Sequence, residues 1–308
     1  MLLGSARACG KLILLGEHFV VHGVPAVAVP VTAVGTTVRV LEDPQGRPAW
    51  LDSPFTGDVK VAGERLLDAA LEALGVAPGM PWRVEVQSDV PVGAGLGSSA
   101  ALSVALVRAL SEAAGVDVSI DDVNAQAHAL ERLVHGTPSG IDDTVVTYAR
   151  ALAFRRSDAL GDPTIRFLAP GRTLVLVLGA VPREGTTFDA VAAVHARKAA
   201  DPARFARQCE SVTHLVDSGI RAFESGFRRS LGELMDQNHG HLVEVGVSNA
   251  GLDRLCSAAR AAGALGAKLT GAGRGGFMVA LAERGKATEV AAALESAGAT
   301  TVLTTEVT

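Results

Sequence analysis

The stretch "PVGAGLGSSAALSVALVRAL", residues 91–110, restricts the fold of this chain more than any other. Gly93, Gly95 and Gly97 permit a backbone that other residues resist, and a long apolar helix follows from Ser98 to about Ala114. Such a helix reads as buried, and 308 residues supply enough chain for a sizeable core and for two domains. Glycines let the backbone approach a ligand, while the free N–H groups and the dipole at a helix start favour an anion. That is the physics of a phosphate cradle. The stretch lacks the Gly-Lys-Ser/Thr of a P-loop, and the third glycine of a dinucleotide fingerprint would fall on Ser98. The plain alternative, a glycine-rich turn capping a buried helix, stays open on this loop alone. If phosphate binds here, its cation has to come from elsewhere in the chain.

Lysine is scarce. It occurs only at Lys11, Lys60, Lys198, Lys268 and Lys286, so a lysine inside a motif stands out. The formal net charge of −5 argues against a general nucleic-acid binder, which would show a basic face. With 48% hydrophobic and 20% charged residues, the chain reads as folded rather than disordered. Cys9, Cys209 and Cys256 are scattered with no CxxC, which fits a reducing cytoplasm and argues against structural zinc. The N-terminal apolar stretch is too short and interrupted for a signal peptide or a membrane span. The expectation is a cytoplasmic protein that engages neither membrane nor nucleic acid.

Along the chain, the first forty residues read as strands, with a loop over residues 16–23 between them. Residues 45–58 are turn-rich and read as a surface excursion, residues 61–75 read as a helix, and "WRVEVQS" alternates as a half-buried strand would. Asp117 and Ser119 offer starts for a helix over residues 120–134, which His135-Gly136-Thr137-Pro138 breaks. "GIDDTVVTYARALAFRR" begins as helix and ends as strand. A Gly/Asp/Pro stretch at residues 157–171 separates the two halves, giving expected domains of residues 1–168 and 169–308. "TLVLVLG" opens the second half as a buried strand. Helices then dominate to about residue 262, and the end reads strand, helix, strand.

Three further stretches are hard to explain as coincidental turns: "GKLILLGEHFVVHG" (residues 10–23), "HGTPSGIDD" (135–143) and "KLTGAGRGG" (268–276). Together with the glycine loop, and in this order, they resemble the motifs of the GHMP kinases, most closely that family's mevalonate branch. "DQNHGHLVEVGVS", residues 236–248, resembles the stretch before the third motif, so the similarity spans nearly the whole chain. The resemblance implies an α+β protein of two domains. The first would resemble ribosomal protein S5 domain 2 and the second would be ferredoxin-like, with the active site in the cleft between them. It further implies ATP- and Mg2+-dependent phosphorylation of the primary hydroxyl of mevalonate, a small-molecule substrate, and a homodimer as a family-level expectation.

Roles follow from the same resemblance. Residues Gly93, Ala94, Gly95, Leu96, Gly97, Ser98, Ser99 and Ala100 would cradle the ATP phosphates. Lys11 would be the missing cation, stabilising charge on the transferring phosphoryl group or acidifying a nearby hydroxyl. Asp142, after Gly-Ile, would be the catalytic carboxylate, either abstracting the proton of the substrate hydroxyl or only orienting it. Its neighbour Asp143 reads as structural. Ser99 and Glu131 would hold Mg2+, which takes oxygen ligands and keeps several waters. Without the motif, Glu131 is a solvated helix-end charge beside Arg132. Glu17 and His18 resemble substrate contacts, and so does Thr187, in competition with Thr186. His22 reads as a turn residue and His135 as a residue that shapes its loop.

The chain departs from the family pattern at Cys9, where proline is usual, at Arg274, where glycine is typical, and at Ala149-Arg150, where Gly-Gly is common. None of these removes a presumed catalytic group. Two alternatives stand beside this reading: a GHMP kinase for another small alcohol, and a sensor that binds ATP and ligand without turnover. Retention of Lys11, Glu131 and Asp142 together speaks against the sensor.

Overall fold

The computed structural model describes residues 1–77, 79–136, 138–156, 163–185 and 187–308. They divide into two compact units, one of residues 1–11 and 34–149, the other of residues 12–33 and 150–308. Strands β1 (Leu2–Leu15) and β2 (Ala26–Glu42) each contribute residues to both.

In the first unit, β3 (Trp50–Asp52) runs parallel to a strand that lies beyond α1 (Gly57–Ala73), namely β4 (Trp82–Ser88). That strand pairs antiparallel with residues 36–42 of β2. Trp82, Val84 and Val86 are buried, so the alternation read from "WRVEVQS" sets one face of β4 into the core. The surface excursion expected over residues 45–58 needs correction: it contains β3, and α1 already starts at Gly57. Three strand residues between Pro48 and Pro54 carry little local signal. Pairing with β4 and burial of the Leu51 side chain are what make them a strand.

The core of this unit is α2 (Ser98–Ala114), in which every residue from Ala100 to Val107 is buried. Close packing on it requires Gly4 of β1, where any Cβ would run into the Ala109 carbonyl. Next comes α3 (Ile120–His135). Ser119 caps it: its hydroxyl accepts the Asp122 N–H while the Asp122 carboxylate accepts the Ser119 N–H. The short α4 (Ile141–Tyr148) follows, started by Gly140 in the left-handed region at φ 87°.

In the second unit, β5 (Leu152–Arg155) pairs antiparallel with residues 26–28 of β2 and with β6 (Thr164–Phe167). The fully buried β7 (Leu174–Val181) leads into four helices: α5 (Thr187–Ala200), α6 (Pro202–Ser225), α7 (Arg228–Glu244) and α8 (Ala250–Ala261). After them come β8 (Gly266–Leu269), β9 (Gly276–Ala282), α9 (Ala287–Ser296) and β10 (Thr301–Val307). These last strands form an antiparallel sheet with β7 in the order β10-β7-β9-β8. The order is that of a ferredoxin-like βαββαβ unit, as the resemblance implies. Where α7 meets β8, Gly232 and Gly266 touch backbone to backbone, and a Cβ on Gly266 would overlap the Gly232 carbonyl. Among the described residues, no helix is long and apolar enough to cross a membrane.

Candidate active site

The first unit brings together the glycine loop, Lys11 and the acidic segment. Gly93, Gly95 and Gly97 take φ values of 70°, 86° and 74°. Gly97 is the residue before α2, and no side-chain hydrogen bond caps that helix start. The first-turn N–H groups of α2 therefore remain available to an anion. Leu96 and Ala100 are buried, so they offer only their backbone to a ligand.

Lys11 is 4% exposed. Its N–H donates to the Leu96 carbonyl at 3.0 Å, and its Nζ lies 2.9 Å from Asp142 Oδ1. The lysine stem passes directly under the loop, because a Cβ on Gly97 would come within 2.8 Å of Lys11 Cγ. One side chain thus ties the glycine loop to the acidic segment. Gly97→Ala should both strain a left-handed backbone, at about 1–2 kcal/mol, and displace the lysine. The expected result is a lower urea midpoint together with a loss of turnover larger than the stability loss explains. Unchanged turnover would show that Lys11 is not held by this contact.

The two adjacent aspartates point apart. Asp142 stands in the first turn of α4 with 38% of its side chain exposed. Asp143 is buried and pairs with His128 Nδ1 at 3.0 Å. Burial pushes the Asp143 carboxyl up, against the pull of His128.

Glu131 is not the solvated helix-end charge that its neighbour Arg132 suggests, since it is 2% exposed. Its Oε2 accepts from Ser99 Oγ at 2.9 Å and its Oε1 from Ser103 Oγ at 3.1 Å. Desolvation raises its pKa to about 7. A dry carboxylate bridged by hydroxyls is a hard oxygen donor set that a cation would relieve, and in this sense Ser99 and Glu131 fit Mg2+. Two partners of this carboxylate escape the sequence reading. Ser103 sits four residues after Ser99 on α2, and His135 four residues after Glu131 on α3, with Nε2 at 3.0 Å from Ser99 Oγ. Spacing of i,i+4 was the available signal for both.

In the second unit, Glu17 and His18 follow β1 in the sequence. Glu17 turns inward, is 1% exposed and forms an ion pair with Lys268, itself fully buried in β8. Lys268 Nζ also donates to the Leu269 carbonyl at 2.6 Å. Around this pair, the Gly16 N–H donates to Asn238 Oδ1 at 3.0 Å and Thr270 Oγ1 donates to the Ile13 carbonyl at 3.0 Å. His239 Nδ1 accepts the Leu269 N–H at 3.3 Å. The third motif is therefore anchored to residues 13–17 through buried polar groups. His18 takes φ 60° and bonds the Ala272 carbonyl through Nε2 at 3.0 Å. Thr187 opens α5, whereas Thr186 lies outside the described residues. His22 lies in a turn of 3-10 helix and packs edge-on against Phe205.

Burial drives the His18 pKa down to about 4, so the ring is neutral near pH 7. The unfolded chain binds this proton more readily, so stability is complete above the unfolded value of about 6.5 and is lost as pH falls toward 4. His18→Asn keeps a residue that tolerates the left-handed region and removes the titration. Urea unfolding at several pH values should show the variant losing stability less steeply than wild type between pH 6.5 and 4. Parallel curves would mean the imidazole titrates normally.

Comparison with known proteins places this geometry. Residues 61–150 match the GHMP kinases N terminal domain, and residues 220–300 match GHMP kinases C terminal. Mevalonate kinase of Pyrococcus abyssi is 36% identical over 99% of this chain and 95% of its own length. This chain belongs to the GHMP kinase family. The Pyrococcus horikoshii mevalonate kinase is likewise 36% identical, over 97% of this chain and 94% of its own. The crystal structure of L. major mevalonate kinase in complex with R-mevalonate superposes with a TM-score of 0.88 at 31% identity, covering 99% of this chain and 95% of the other. Within this GHMP kinase, the departures from the family pattern acquire a physical meaning. Among the described residues, three that are not glycine have positive φ: His18, Ala149 at 48° and Arg274 at 54°. Ala149 and Arg274 are positions where the family pattern has glycine, so the left-handed backbone persists without the residue that favours it. The Arg274 N–H donates to the Val247 carbonyl at 2.7 Å and its carbonyl accepts from Glu184, which holds the turn.

Proposed function

We propose that this GHMP kinase transfers the γ-phosphoryl group of ATP to the primary hydroxyl of mevalonate, giving 5-phosphomevalonate for isoprenoid synthesis. The observation that carries the reading is the Lys11–Asp142 pair, held at 2.9 Å beneath the glycine loop. Likeness over nearly the full length to mevalonate kinases, one of them solved with R-mevalonate, supports the choice of substrate.

Phosphoryl transfer asks a protein for positioned phosphates, compensated charge and an oriented nucleophile. The backbone of residues 93–100 receives the phosphates, with the start of α2 behind them. Asp142, part-exposed where Lys11 is not, accepts the hydrogen of the attacking hydroxyl and aims its oxygen. Lys11 keeps the carboxylate in place and puts a positive charge where negative charge gathers on the transferring group. Ser99 and Glu131 would hold Mg2+, which when bound neutralises phosphate charge. His18 enters as a neutral hydrogen-bonding group for the substrate, and Thr187 as a further contact. Glu17, paired with buried Lys268, would fix the backbone that carries His18. A cytoplasmic location and a homodimer belong to the same reading.

A coupled assay of ADP release with ATP and Mg2+ tests it against mevalonate, phosphomevalonate, galactose and homoserine. Turnover should require mevalonate. Turnover on another alcohol would keep the kinase and change the substrate. ATP binding with no turnover on any of them would make the protein a sensor.

A further inference from the structure

We propose that His135 is a third protein ligand of the divalent cation held by Ser99 and Glu131, adding one nitrogen donor to an otherwise oxygen site. The inference rests on the kinase reading above and goes beyond it in the metal's coordination. Its ground is the placement of three side chains. Glu131 and His135 lie one helical turn apart on α3, so both face the same side, and α2 presents Ser99 to them. Ser99 Oγ is 2.9 Å from Glu131 Oε2 and 3.0 Å from His135 Nε2, and the remaining distance, Nε2 to Oε2, is 3.6 Å. Octahedral coordination with bonds of about 2.1 Å sets neighbouring donors about 3.0 Å apart. The three atoms already outline one face of such a shell. The opposite face is left for nucleotide phosphates and water.

The protons balance. The Ser99 hydroxyl donates to Glu131, so the bond between His135 and Ser99 uses the imidazole N–H at Nε2. A cation would take the Nε2 lone pair, so coordination requires the form of the ring with its proton at Nδ1, reached by exchange with solvent. Solvent reaches the ring, which is 52% exposed. Glu131 is almost wholly buried and cannot turn away, so the imidazole is the member free to adjust its distance. A nitrogen donor shifts preference toward Mn2+ and Co2+ relative to an all-oxygen site.

The test uses the full chain grown with 15N-histidine, loaded with Mn2+ and the β,γ-methylene analogue of ATP, which has no nitrogen between its phosphates. Pulsed electron paramagnetic resonance then reads the nuclei bound to Mn2+. Wild type should show both 31P and 15N-histidine couplings. His135→Ala and His135→Gln, each checked for an unchanged circular dichroism spectrum, should keep 31P, lose 15N and bind Mn2+ about tenfold more weakly. A 31P coupling without 15N in wild type, or 15N that persists in the variants, would overturn His135 as a ligand and leave the kinase reading intact. Absence of both couplings would remove the metal site itself, and the proposal with it.

Discussion

Asp142→Asn should lower kcat about 10³-fold while nucleotide affinity stays within about twofold. The amide keeps the size of the carboxylate and can still sit near Lys11, but it is a weaker acceptor for the hydroxyl hydrogen and carries no charge to hold the ammonium. Lys11→Met should cost a similar factor. The double variant should cost little more than either single one, because residues that act as a unit are not additive. Asp143→Asn is the informative control. Its carboxylate is buried against His128 and turned away from Asp142, so the loss should fall on stability rather than on kcat. Steady-state kinetics on the four variants decides the matter. Equal kcat losses for Asp142→Asn and Asp143→Asn would show that the two aspartates have not been separated correctly.

Lys268→Met should destabilise the second unit by about 3–5 kcal/mol, the cost of leaving one partner of a buried ion pair behind. At this chain length that corresponds to a fall in the thermal midpoint of about 5–8 °C. Lys268 and Glu17 are each 1% exposed or less, so water cannot take the place of the lost ammonium without moving the backbone. Glu17→Leu combined with Lys268→Met should recover most of the loss, since replacing both charges by apolar groups is often near neutral. Thermal melts monitored by circular dichroism measure both variants. If the double variant is as unstable as Lys268→Met, the pair matters for its hydrogen bonds to the loop rather than for its charges. Lys268 Nζ donates to the Leu269 carbonyl, so that outcome would move the explanation to the backbone of the third motif.

Legibility in the sequence followed the range of the interactions. Helix α2 was readable almost to the residue because its signal is local: a glycine, two serines and an unbroken apolar run. The start of α3 was readable for the same reason, through Ser119. Strand β3 was missed because three residues among prolines become a strand only through β4. The scarcity of lysine makes Lys11 conspicuous but gives it no role; four motifs taken together do, and its 2.9 Å contact to Asp142 joins residues far apart in the chain. Glu17 illustrates the opposite case. A charged residue in a polar loop invites a ligand-facing reading, but its cation stands 251 residues away, beyond any local pattern. His135 lay within reach, since the i,i+4 step from Glu131 was visible, but its use depends on Ser99 arriving from another helix.

Phosphorylation of the primary hydroxyl of mevalonate leaves a direct spectroscopic signature. The most direct measurement is 31P NMR, with and without proton decoupling, of the product formed from ATP, Mg2+ and mevalonate. A phosphomonoester signal split into a triplet by two neighbouring CH2 protons, appearing together with ADP, is the predicted result. A singlet, which would mean phosphorylation of the tertiary hydroxyl, or ADP without any new phosphoester, would contradict the account.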